Sequence, residues 1–240
     1  MAAALDAMLG ELNREVHEVL SQFTTDAALD EERFGARYRA ALSARNRALI
    51  EVLYAGFANA NPDAMAACYA DDAVFSDDAF GRLEDGRVRH MWAMLLHRYR
   101  TSGERPEFTL VAFEGTPDGG TAQWECKYNS PLNAERRVHN IISARFEICR
   151  RAGRIVEHHD SFDFPHWATQ AVGACIGCLS GPFACFCMHA VLQAGARRKL
   201  AAYEAKRAED AHNGDAAVAA GNTDAAADGG ASSAAPYTAM

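Results

Sequence analysis

The stretch VHNIISARFEI, residues 138–148, sets Val138, Asn140, Ile142, Ala144, Phe146 and Ile148 at every second position. A period of two sustained over eleven residues fits a strand with one buried face and does not fit a helix. TAQWECKY repeats the pattern, with Ala122, Trp124, Cys126 and Tyr128 opposed to Gln123, Glu125 and Lys127. EFTLVAFE comes before it, across the turn signal TPDGG, and VEHHDSFDF follows beyond the turn at Arg151–Arg154. Four consecutive strands joined by short turns pair antiparallel.

Upstream, the spacing predicts helices. Leu49, Val52, Leu53, Gly56 and Phe57 share one helical face. Asn61 before Pro62 reads as an N-cap with proline at the first helical position, opening a short helix that runs through Tyr69. ADDAVFSDDAF reads as a turn and a short strand. Val88, Met91, Trp92, Leu95, Leu96 and Tyr99 then line a third helix. Helices followed by a run of strands make an α+β domain whose mostly antiparallel sheet carries helices on one face.

The ends differ from this middle. Residues 1–22 place Leu5, Met8, Leu9, Leu12, Val16, Val19 and Leu20 at helical spacing, an extra helix suited to capping the domain, a partner or a dimer interface. Residues 205–240 are dominated by alanine, glycine, aspartate and serine and lack the large apolar groups needed to offset ordering entropy. The expected organisation is an N-terminal helical extension over 1–44, the α+β domain over 45–167, C-terminal helices over 168–204 and a disordered tail over 205–240.

A net charge of −8 over 240 residues argues against a nucleic-acid partner. No run approaches the roughly 18 apolar residues that a membrane span needs. With acidic residues at 6, 11, 15 and 18, the N-terminal segment lacks the order of a secretory signal, so a soluble, cytoplasmic protein is expected. Seven cysteines in such a chain are expected as free thiols. Cys175, Cys178, Cys185 and Cys187 could be grouped as a zinc or redox cluster, but their apolar setting favours small buried hydrophobes, and no metal or cofactor is expected.

Several polar groups fall on apolar strand faces. Alternation puts His158 and Asp160 with Val156 and Phe162, Asn140 with Val138 and Ile142, and Tyr128 with Trp124. Buried charge is costly, so convergent polar groups on one roofed face suggest a partly polar pocket. An imidazole and a carboxylate there suit acid–base work near neutrality. Asp77 is placed to reach such a pocket, although turn-forming aspartates are commoner at such a position. Trp92, Trp124 and Tyr54 supply aromatic walls, while His139 and His159 face the other way.

The order of elements resembles the SnoaL-like branch of the nuclear transport factor two-like superfamily. The resemblance runs from about Arg45 to Trp167 and is carried by YADDAVFSDD and by the closing pattern G-x-I-V-E-H-x-D. It implies a curved sheet wrapped by helices into a cone with a cavity open at one end. Polyketide cyclases, ketosteroid isomerases and limonene epoxide hydrolases share this fold. His158 and Asp160 match the closing-strand His and Asp that line the cavity, and in SnoaL-type cyclases an aspartate of that strand is the acid/base. Asp77 matches a position after the first short strand. Tyr128 and Asn140 have no firm counterpart. Neither the Asp-Arg-Asp set of the epoxide hydrolases nor the isomerase oxyanion hole can be aligned.

Two readings follow. One is a cofactor-independent isomerase, cyclase or hydratase acting on a small, largely apolar carbonyl or hydroxyl compound. Asp160 and His158 are then catalytic, and Asp77, Tyr128, Asn140, Trp92, Trp124 and Tyr54 bind substrate. The other is a non-catalytic module that holds a lipophilic ligand or forms a homodimer through its sheet.

Overall fold

A computed structural model describes residues 7, 10, 11, 14, 18, 31–102, 105–130, 135–173 and 182–227, with the side chains of 31–34, 182–188 and 214–227 outside the description. The apolar stripe expected over residues 1–22 lies outside the described residues. The chain forms two compact units, Met1–Leu200 and Ala201–Met240.

The first unit holds the sheet. Helix α1 runs Glu31–Ala58, α2 Pro62–Ala67 and α3 Arg87–Ser102. Six strands follow the order β2-β1-β6-β5-β4-β3, with β1 at Tyr69–Asp77, β2 Gly81–Leu83, β3 Glu107–Thr116, β4 Gly119–Asn129, β5 Arg137–Ile148 and β6 Ile155–Phe162. Helix α4 spans Phe164–Val172 and α5 spans Pro182–Ala227. Every pairing is antiparallel except β1 with β6, which is parallel. The result is a curved, unclosed α+β sheet with helices, the fold expected from the sequence.

Asn61 caps α2 as its sequence implies: its side chain accepts from the Ala64 amide at 3.1 Å, and Pro62 opens the helix. Leu49, Ile50, Leu53 and Phe57 of α1 meet Met91, Trp92 and Leu96 of α3 over Ala122, Trp124, Ile142, Ala144 and Phe146. A second apolar cluster gathers Val138 with Phe164, Trp167, Ala168 and Ala171 of α4. The β3–β4 end approaches α1 very closely. A Cβ at Gly115 would run into the Ser43 carbonyl oxygen and the Arg47 amide nitrogen, so only glycine fits.

The structure departs from the sequence reading at definite points. Helix α2 stops at Ala67, and Tyr69 begins a nine-residue strand where a turn and a short strand were expected. Leu95, expected on the core face of α3, is 39% exposed. Val156 does not share the face of His158. The register steps from Ile148–Ile155 to Glu147–Glu157, so Val156 is an extra residue in a bulge and Ile155 takes the buried place. The expected boundary after residue 44 falls within α1. The segment from Ala205 carries helix as far as Ala227, and 228–240 lie outside the described residues.

Candidate active site

Strand β6 carries the central pair. His158 faces Phe146 and Asp160 faces Ala144 across the β5–β6 ladder, so both point to the helix-covered side. His158 is 0% exposed and Asp160 is nearly as buried. His158 Nε2 lies 2.9 Å from Asp160 Oδ1. Four aromatic rings surround the imidazole: Phe146 at a centroid distance of 4.3 Å, Phe75 at 5.1 Å, Tyr69 at 6.1 Å and Trp92 at 6.2 Å.

The pair continues into a wire of hydrogen bonds. Tyr69 Oη is 2.7 Å from His158 Nδ1, and Trp92 Nε1 donates to Tyr69 Oη at 3.0 Å. An indole N–H can only donate, so Tyr69 Oη accepts from it and has one proton of its own to give. Given to His158 Nδ1, that proton fixes the tautomer whose Nε2–H donates to the Asp160 carboxylate. Burial holds the Tyr69 phenol well above its usual range, and the charge of Asp160 adds to this, so Tyr69 stays a donor.

Tyr69 was not among the residues singled out in the sequence. Its signal lay in CYADDAVF, where Tyr69, Ala73 and Phe75 occupy alternate positions, but the helical pattern before it masked the start of the strand.

Two further groups face the same interior without a protein partner among the described residues, namely Tyr54 Oη and Trp124 Nε1. Their rings lie 5.7 Å apart. Burial, then the charge of Asp160, push the Tyr54 phenol well above its normal value, so it too remains an O–H donor.

Asp77 ends β1 and is brought toward Asp160. Its Oδ1 accepts from the Phe80 amide at 2.5 Å, closing an Asx turn, so it has the turn-forming role that competed with a pocket role in the sequence. Burial pushes its carboxyl up to about 7, and Asp160 adds to the rise against the lowering effect of the Phe80 amide.

The remaining expected residues are spread more widely. Tyr128 Oη accepts from Trp167 Nε1 at 2.7 Å, and burial raises its phenol. It sits between the main core and the α4 cluster. Asn140 is buried opposite Cys126. His139 and His159 lie on the outer face as expected, bonded to Glu125 and Ser76, each at 2.8 Å.

Of the cavities, one of about 660 Å³ lies on the outer sheet face among Gln123, Ser143, Arg145, His159 and Ser161. Another, of about 410 Å³, opens beside Tyr99 and Tyr128 among Arg98, Arg105, Lys127 and Arg137. Neither holds His158 or Asp160.

Among the described residues no cluster of three or more His, Cys, Asp or Glu could hold a metal, and no helix is long and apolar enough to cross a membrane. Cys68 and Cys126 are buried free thiols, each pushed up to about 12 by burial, consistent with small core hydrophobes. The expected reading of Cys175, Cys178, Cys185 and Cys187 lies outside the described side chains.

Residues 50–158 match the SnoaL-like domain family. Solved structures resemble it at low identity. An LEH-like epoxide hydrolase of M. tuberculosis is 21% identical, over 54% of this chain and 91% of that one, with a TM-score of 0.43. Bal32a, from a soil-derived mobile gene cassette, is 13% identical over 54% and 98%, with a TM-score of 0.45. A protein of ketosteroid isomerase-like fold from Catenulispora acidiphila DSM 44928, in complex with trimethylamine, is 15% identical over 52% and 93%, with a TM-score of 0.40. No curated protein matches the chain. One fold of this kind hosts many chemistries, so activity must be argued from the side chains.

Proposed function

We propose that the interior between the sheet and helices α1 and α3 binds a small, largely apolar carbonyl or hydroxyl compound and that Asp160 moves a proton on it. The observation that carries this reading is the placement of two buried donors, Tyr54 Oη and Trp124 Nε1, without protein partners among the described residues and in the same interior as a buried carboxylate. Leaving such donors unmet costs about 1–3 kcal/mol each, so a site meant to stay empty would be poorly designed. A ligand oxygen between them would accept both bonds, and negative charge developing there would be stabilised.

Asp160 would take a proton from the carbon beside that oxygen and return it elsewhere, which describes isomerisation and aldol-type cyclisation. Hydration uses the same carboxylate on a water. His158, fixed by Tyr69 and Trp92, donates to Oδ1 and leaves Oδ2 for the substrate. Asp77, raised to about 7 and so partly protonated at neutral pH, serves as a second proton donor or binds a substrate hydroxyl. None of these reactions requires a cofactor.

Ligands are to be found by a thermal-shift screen of steroids, terpenoids, polyketide fragments and fatty acids. A ligand at 100 times its dissociation constant stabilises the fold by about 2.7 kcal/mol. Asp160→Asn should then retain ligand binding and lose turnover by a factor of about 100 or more. Undiminished turnover in that variant would remove Asp160 from the chemistry.

A second reading concerns association. Val111 on β3 and Ile141 on β5 are 49% and 50% exposed, unusual for large apolar side chains within strands, and they suit a sheet that meets a second copy of itself.

A further inference from the structure

Helix α5 lies outside the SnoaL-like match, yet it reaches the turn that follows Asp77. Two rows of its side chains explain how. Leu192, Ala196 and Leu200 pack against the two apolar clusters. Alongside them His189, Gln193 and Arg197 repeat every four residues, the spacing that stacks side chains on one helical face.

This second row contacts the backbone of the turn between β1 and β2. His189 Nε2 lies 2.6 Å from the Asp78 carbonyl oxygen, which can only accept, so Nε2 carries the proton. Gln193 Nε2 donates to the same oxygen at 3.2 Å, and Arg197 Nε donates to the Phe80 carbonyl at 2.7 Å. His189 is held from its other side by the Phe164 ring, 4.5 Å between centroids. Gly81 follows the turn at φ +66°, and a Cβ there would strike Arg197 Nη2. Asp77 Oδ1 grips the Phe80 amide while Arg197 grips the Phe80 carbonyl, so one peptide segment is pinned from both sides.

We infer that His189, Gln193 and Arg197 are positioning residues, which fix the Asp78–Gly81 turn from a helix outside the SnoaL-like domain and so keep the Asp77 side chain in the interior. The importance of Asp77 to chemistry rests on the function proposed above; the clamp itself does not. The charged and titratable groups facing Asp77 are Asp78 on its own turn, Asp160 from β6 and Tyr128 from β4, with His189 and Arg197 of α5 bound to the turn beside it. Freed from the clamp, the turn would swing toward water. Burial, the largest cause of the raised Asp77 carboxyl, would be lost, and so would its proximity to Asp160.

The test follows the Asp77 carboxyl carbon by 13C NMR in the full chain between about pH 3 and pH 9, its signal assigned by its loss in Asp77→Asn. The wild-type midpoint should lie near 7. Gln193→Ala and Arg197→Ala should each lower it by about one unit or more, and Arg197→Lys, which retains a donor, should restore most of the change. Should Arg197→Ala fail to fold, Gln193→Ala loses only one hydrogen bond and carries the measurement. A midpoint unmoved in the folded variants, whatever happens to the melting temperature, would reduce α5 to a prop and overturn the inference. So would a wild-type midpoint in the ordinary aspartate range. Failure of the proposed chemistry would show separately, as undiminished turnover in Asp160→Asn while the wild-type midpoint still falls in Gln193→Ala.

Discussion

Replacing Tyr69 with phenylalanine deletes one oxygen atom and tests the whole wire. That oxygen accepts from Trp92 Nε1 at 3.0 Å and meets His158 Nδ1 at 2.7 Å, in a core where both partners are buried. No water-facing route lets either partner turn outward: His158 is wedged among Phe75, Phe146 and Trp92, and Trp92 packs edge-on against Phe57. Each orphaned group costs about 1–3 kcal/mol, and phenylalanine fills the same ring volume, so no cavity cost is added. The expected loss is therefore about 2–6 kcal/mol. Urea unfolding at neutral pH, followed by far-ultraviolet circular dichroism, should show an earlier midpoint with an unchanged slope. The same variant releases the tautomer lock on His158, so any turnover found for the wild type should fall even where folding is saturated. A stability loss below about 0.5 kcal/mol would mean that Tyr69 is not the link between Trp92 and His158, and the wire would have to be abandoned.

Asp77 makes stability depend on pH in an unusual sense. Its folded value, about 7, stands above the ordinary 3.8, so the folded state binds the proton more tightly. Stability from this group is fully present below the ordinary value, falls as pH rises toward 7 and levels off above it. Melting temperatures across that window should decline in the wild type and decline less in Asp77→Asn. Gly115→Ala must push α1 away from the β3–β4 turn and should cost about 1–3 kcal/mol or more in urea unfolding, whereas a loss within error would deny the close approach. Ile141→Lys should leave unfolding within about 0.5 kcal/mol of wild type. If copies associate through the sheet, it should also convert a dimer to monomer in sedimentation velocity, and a wild-type monomer would dismiss that reading.

The strands were the most legible part of the sequence, because a half-buried antiparallel ladder writes its pleat directly into the residue order. On β5 every one of Val138, Asn140, Ile142, Ala144, Phe146 and Ile148 is buried as alternation demands. On β6 the same logic placed His158 and Asp160 correctly but failed at Val156, since a bulge changes the parity and leaves no mark in a single sequence. Tyr69 was hidden for a related reason. The periodicity of α2 runs directly into β1, with Cys68 alone between them, so a window covering both shows neither period cleanly. The expected cavity rested on polar groups being where charge is costly. The structure satisfies much of that cost internally, through Tyr69 and Trp92, and among the described residues Tyr54 Oη and Trp124 Nε1 stay unmet in that interior. The reach of α5 to the β1–β2 turn could not be read at all, because contacts between a side chain and a distant carbonyl have no sequence signature.

The parallel pairing of β1 with β6 also sets a clock. Tyr69 and His158 stand 89 residues apart in the chain, so during synthesis β1 emerges long before its inner neighbour exists. At about 5–20 residues per second the interval is roughly 4–18 s. Until then β1 has only the three-residue β2 beside it, and Phe75 and Tyr69 have no sheet to cover them. Contacts this distant form late and slowly. A nascent chain stalled before β6 would lack His158 and Asp160 and would leave Tyr69 and Phe75 open to any neighbouring strand.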